Sequence, residues 1–185
     1  MTHPFFTIGH STRTADAFGA LLQEAGVRRL VDVRTVPRSR ANPQYDSRVL
    51  PVWLAEFQVT YEHAPALGGL RGRLADVPPA TNAFWENQSF HNYADYALTP
   101  QFREGLAQLI ATGRARTVAI MCAEAVWWRC HRRIIADYLL AAGETVLHIL
   151  GRGHIVPARL TAGAEIGPDG SIVYPAADEE SAPEA

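Results

Sequence analysis

Thr117-Val118-Ala119-Ile120-Met121, followed at once by Cys122-Ala123-Glu124, is the stretch on which the fold turns. An apolar run of strand length that includes β-branched residues reads as a strand buried on both faces. Upstream, Thr99-Pro100 has the pattern of an N-cap followed by proline at the first helical position. The helix it opens buries Phe102, Leu106, Leu109 and Ile110 and closes at Gly113. Downstream, residues 125–142 read as a helix stopped by Gly143, and Thr145 to Leu150 as a further strand.

The N-terminal part repeats this alternation. Phe5-Phe6-Thr7-Ile8 reads as a short buried strand ending at Gly9-His10-Ser11. In the next helix Thr14 is the N-cap and Asp16 lies in the first turn. Phe18, Leu21, Leu22 and Ala25 follow helical spacing, and Gly26 ends the run. Arg29 to Val33 supplies a second strand, residues 34–47 an irregular loop, residues 49–57 a helix and Val59 to His63 a third strand. Residues 64–98 show no clear period and hold the aromatic group Phe84, Trp85, Phe90, Tyr93 and Tyr96. Residues 154–174 carry a β-hairpin pattern. Alternating strands and helices predict a three-layer α/β/α fold with a mainly parallel, Rossmann-like sheet and right-handed crossovers. The simplest strand order is 3-2-1-4-5. One domain over residues 1–174 and a disordered acidic tail over 175–185 complete the expected organisation.

Composition narrows the class. The 185 residues are 48% hydrophobic and 19% charged, with a net charge of −2. No apolar run reaches the ~20 residues that a membrane helix needs, and the N-terminus lacks a signal-peptide pattern. A cytoplasmic location and no membrane partner are therefore expected. The two cysteines fit a reducing compartment and argue against a disulfide scaffold. All 17 basic residues are arginine.

Ligands of such sheets bind beyond the carboxyl ends of the strands. That rule brings His10 and Ser11, Asp32 and Arg34, and Cys122 and Glu124 to one crevice. Cys122, just ahead of the expected helix, is a candidate nucleophile or redox thiol, since a helix N-terminus lowers a thiol pKa. His10 and Glu124 are candidates for an acid–base pair. Arg34, Arg40 and Arg71, with Ser11 and Asp32, are candidates for holding an anion, because guanidinium forks match phosphate and carboxylate. His131 and Arg132 complete the set. Cys130 is placed inside the expected helix, packed on the sheet. No metal is expected: Cys130 and His131 would diverge on a helix, and there is no Cys-x2-Cys pair. No cofactor is expected either, since neither Gly9 nor the Gly68–Arg73 segment opens a nucleotide-binding fingerprint.

Several segments together resemble the uncharacterised DUF488 family. They are Thr7-Ile8-Gly9-His10-Ser11-Thr12, Asp32-Val33-Arg34 with Pro37 and Ser39, Leu67-Gly68-Gly69, the stretch from Tyr93 through Tyr96 to Thr99-Pro100-Gln101-Phe102, and Cys122-Ala123-Glu124 followed by Cys130-His131-Arg132. The resemblance implies an α/β fold and, through a loose label on some members, a link to DNA repair. The residues themselves favour an enzyme acting on a phosphorylated or nucleotide-like anion. The competing readings are a nucleic-acid-binding module that uses the arginine loops and the aromatics, and a non-catalytic ligand-sensing domain. Oligomeric state is not legible in the sequence.

Overall fold

A computed structural model describes residues 2–177. Its centre is a six-stranded sheet built from β1 (Phe5–Gly9), β2 (Arg29–Asp32), β3 (Thr60–His63), β4 (Val118–Cys122), β5 (Val146–Gly151) and β6 (His154–Pro157). The order is β3-β2-β4-β1-β5-β6. All neighbours run parallel except β6, which pairs antiparallel with β5. Strands one and four are adjacent as expected, but the expected order is corrected: β4 lies between β2 and β1. The two strands are equally apolar and buried along their whole length, so either suits an interior position.

Helices cover both faces. α1 (Ala15–Glu24) and α2 (Leu50–Leu54) lie on one side, where Phe18, Leu22, Leu50 and Leu54 pack on Ile8, Leu30 and Met121. Thr14 caps α1 by accepting from the Ala17 amide at 3.1 Å. The other face carries α3 (Gln88–Tyr96), α4 (Pro100–Ala115) and α5 (Arg132–Ala141). There Tyr93, Phe102, Leu109, Ile134 and Tyr138 pack with Phe5, Val118, Ile120 and Cys122. Each large apolar side chain buried in this way contributes ~1.5–3 kcal/mol. Thr99 caps α4, and that helix runs past Gly113 to Ala115. Within the stretch 64–98, α3 is capped by Asn87.

Two boundaries differ from the sequence reading in ways that matter. After Cys122 the chain does not enter a helix. It makes a short 3-10 turn at Trp127–Arg129, is extended at Cys130, and α5 starts only after His131. Cys130, His131 and Arg132 therefore sit at a helix entrance rather than within a helix. At the C-terminus, β7 (Glu165–Ile166) and β8 (Ile172–Val173) form a small hairpin. It is fastened to α5 where Asp137 accepts from the Thr161 amide at 2.9 Å and the Tyr174 hydroxyl at 2.8 Å. Of the expected tail, residues 178–185 lie outside the described residues.

Candidate active site

The site forms where β1, β2 and β4 end. Gly9 pairs with Cys122, and the amides of His10 and Ser11 donate to the carbonyls of Cys122 and Ala123 at 2.9 and 3.0 Å. The Cys122–Glu124 turn thus lies directly over the end of β1. A Cβ at Gly9 would fall 1.8 Å from the Glu124 carbonyl oxygen, so this approach requires glycine.

Arg132 organises the interior. Its side chain is 1% exposed, and its hydrogen bonds go to neutral or sulfur acceptors. Nε donates to Cys122 Sγ at 3.0 Å, one terminal nitrogen to Thr7 Oγ1 at 3.1 Å, and the other to the Glu124 carbonyl at 2.7 Å. Among the described residues no carboxylate lies within 4.0 Å of it. Thr7 hands the contact on to His148 Nδ1 at 2.6 Å. The His148 ring stacks on Trp127 at 4.4 Å, and burial together with Arg132 lowers its pKa to about 4.

The two thiols meet at this guanidinium. Cys122 and Cys130 are 3% and 6% exposed, and their sulfurs are 2.6 Å apart. The Arg132 amide donates to Cys130 Sγ at 3.4 Å. Burial opposes ionisation of Cys130, but the Cys122 thiol, His131 and Arg132 outweigh it and hold the Cys130 pKa well below the usual thiol range. Cys122 is pushed the other way, by burial and by its hydrogen bond to Cys130. Burial also works against the Arg132 charge, and the two sulfurs more than offset it. The helix-entrance effect assigned from sequence to Cys122 falls instead on Cys130, just ahead of α5.

His131 is the second feature of the pair. Its Nε2 donates to the Val33 carbonyl at 2.8 Å, which turns Nδ1 toward Cys130 Sγ at 3.5 Å. A Cβ at Gly69 would fall 2.4 Å from that Nδ1, so the absence of a side chain at Gly69 leaves room for the imidazole. These groups line a cavity of about 330 Å3, together with Glu124, Arg34, Arg38 and Arg129 and with Val36, Leu70 and Phe90 as apolar wall.

His10 is 2% exposed and stacks on Tyr45 at 4.2 Å, in the core on the opposite face from Cys122. Its Nδ1 donates to the Ser11 carbonyl at 2.8 Å and its Nε2 faces Arg34 at 3.4 Å. Burial lowers its pKa, and neither nitrogen reaches Glu124. Ser11 holds a left-handed turn at φ 47°. Asp32 is fully buried, takes two hydrogen bonds from the Arg34 guanidinium at 2.7 and 2.9 Å, and accepts from Tyr61 at 2.6 Å. The charge of Arg34 is thereby matched. Arg71 donates to the carbonyls of Gly68 and Pro65 and lies 3.8 Å over the Tyr96 ring. Arg40 is exposed and does not line the cavity. Phe84, Trp85 and Phe90 pack on one another and, with Tyr174, into the core. Among the described residues, no group of three or more His, Cys, Asp or Glu side chains could hold a metal ion. No helix among them is long and apolar enough to cross a membrane.

The sequence reading packs Cys130 into a helix on the sheet and leaves Arg129 out of the candidate site. The signal for both was Val126-Trp127-Trp128, a bulky run that starts a helix poorly.

The fold is that of an α/β protein with a mainly parallel sheet, with two thiols and a buried arginine beyond its strand ends. The chain belongs to the DUF488 family: the family model described as a domain of unknown function, DUF488, matches residues 14–139. That span contains Cys122, Cys130, His131 and Arg132, while Thr7 and His148 lie outside it. No curated protein and no solved structure matches the chain.

Proposed function

We propose that the chain is a cysteine-dependent enzyme in which Cys130 is the nucleophile, His131 its base, and the cavity takes a small substrate bearing an anionic group. One observation carries this reading: a buried guanidinium with two sulfurs, and no carboxylate among the described residues, around it. An uncompensated buried charge costs several kcal/mol. The acceptors that can supply the missing negative charge are the two thiols, and one thiolate shared between them suffices. We read the thiolate as Cys130, whose sulfur faces His131 Nδ1 and accepts the Arg132 amide, with Cys122 as the protonated neighbour on the Arg132 side chain.

His131 has the geometry of an oriented base. The Val33 carbonyl fixes the Nε2–H tautomer, so Nδ1 offers its lone pair to the Cys130 thiol, the arrangement by which a nucleophile is activated. Substrate binding falls to the cavity mouth. Arg34 is matched by Asp32, whereas Arg38 and Arg129 are exposed on the cavity wall and suited to an anion. A volume of about 330 Å3 matches a small molecule, and Val36, Leu70 and Phe90 would receive its apolar part. Glu124, exposed at the same wall, is placed to exchange protons with substrate. The chain would work in the cytoplasm, where both thiols stay reduced.

The test is alkylation by iodoacetamide, mapped by mass spectrometry across pH. Cys130 should react in preference to Cys122 and keep its rate below pH 7. His131→Asn should shift that profile upward, and inorganic phosphate should protect Cys130. A Cys130 profile with the midpoint of a free thiol, about 8.5, would overturn the nucleophile assignment. Absence of phosphate protection would remove the anionic substrate from it.

A further inference from the structure

We infer that Cys122 and Cys130 together form a reactive dithiol that reduces a small hydroperoxide and closes to a disulfide in doing so. The inference rests on the reading of Cys130 as a thiolate and adds a role for its neighbour. Cys122 has no place in simple nucleophilic catalysis, since the base, His131 Nδ1, faces Cys130 and not Cys122. Yet its sulfur touches that of Cys130, and both sulfurs line the same cavity. A second thiol in contact with a reactive one is placed to resolve an oxidised first one.

The chemistry balances without any other group. His131 Nδ1 takes the proton of Cys130, and the thiolate attacks the distal oxygen of the hydroperoxide. The O–O bond breaks, Cys130 becomes a sulfenic acid, and the leaving oxygen takes the proton back from His131. Cys122 then attacks the Cys130 sulfur, the S–O bond breaks, and its thiol proton leaves with the hydroxyl as water. Two thiols and one hydroperoxide give one disulfide, one alcohol and one water. Each sulfur loses one electron and the peroxide oxygens gain two. An external dithiol returns the pair to the starting state by exchange.

Arg132 gives the cycle its direction. It stabilises the thiolate at the start, and a guanidinium lowers the pKa of whichever sulfur must leave or attack. The cavity admits a small oxidant to sulfurs that the protein surface otherwise covers.

Hydrogen peroxide is the probe, applied to the full chain, with intact mass and dimedone trapping as readouts. The reduced wild type should lose two hydrogens, trap no dimedone, and recover its mass with dithiothreitol. Cys122→Ser should stop at a dimedone-reactive sulfenic acid on Cys130. Cys130→Ser should lose the fast reaction. Because either variant can fail to fold, the wild-type mass alone decides: addition of oxygen without loss of two hydrogens overturns the inference. If that happens while Cys130 still alkylates as an acidic thiolate, the dithiol role falls and the nucleophile reading stands. If Cys130 alkylates as an ordinary thiol and no disulfide forms, both fall.

Discussion

At the scale of the residue, Arg132 is the side chain on which most depends. It joins Cys122, Thr7 and the Glu124 carbonyl, and through Thr7 reaches His148. Arg132→Met keeps bulk and removes charge. The expected result is loss of thiolate ultraviolet absorbance at neutral pH, with a fall in stability of about 3 kcal/mol as the partners of a buried charge are left unmatched. Denaturant unfolding of the purified variant measures the second quantity. Acid should act in the same direction as this substitution. Cys130 has its folded pKa below the free-thiol value of ~8.5, so its contribution is full above that pH and is lost as pH falls through the folded value. His148, lowered from 6.5 to about 4, binds its proton more readily unfolded, so stability falls further between those pH values. Unfolding curves at pH 5.5, 7 and 8.5 should therefore show rising stability, while toward more acid pH the Asp137 carboxyl, its pKa raised by burial, works against the trend. From the sequence Cys122 and Glu124 are candidates at a strand end, and His131 and Arg132 are candidates inside the following helix. The sequence reading centres them on His10 because position along the chain does not say which way a ring turns. The imidazole instead stacks on Tyr45, and the histidine that meets a sulfur is His131.

At the scale of the element, the entrance of α5 and the C-terminal hairpin are the two parts that carry most. Tyr174 is fully buried, and its hydroxyl donates to Asp137 on α5. Tyr174→Phe should cost about 1.5–3 kcal/mol, the usual range for a hydrogen bond to a charged group, read as a shift in the unfolding midpoint. Much of this architecture was legible. Thr14 and Thr99 cap their helices as their sequences imply, and β1, β2, β4 and β5 fall where apolar runs end in polar residues. Helix α3 was missed although Phe90, Tyr93, Ala94 and Ala97 have helical spacing, because the polar residues between them lower its mean hydropathy and the aromatics read as a cluster. The delayed start of α5 escaped for a different reason. A period of 3.6 can be extrapolated backwards through any residues, whereas in the structure residues 127–129 form a 3-10 turn, with Trp127 stacked on His148, and Cys130 is extended.

At the scale of the whole molecule, the insertion of β4 between β2 and β1 has the largest consequence. Strand order lies beyond the reach of hydrophobic pattern, since two fully buried strands present the same sequence to any interior position. The family match begins at residue 14, yet β1 stands in the middle of the sheet, paired on one side with β4 and on the other with β5. A fragment of residues 1–117 lacks both partners and should show no cooperative thermal transition by circular dichroism, whereas residues 1–177 should. β1 thus leaves the ribosome more than a hundred residues ahead of β4 and β5, the two strands that hold it in the sheet. Until those strands emerge, Phe5, Phe6 and Ile8 form an apolar, β-prone segment without its sheet partners, the kind of surface that chaperones shield and that aggregates when they do not.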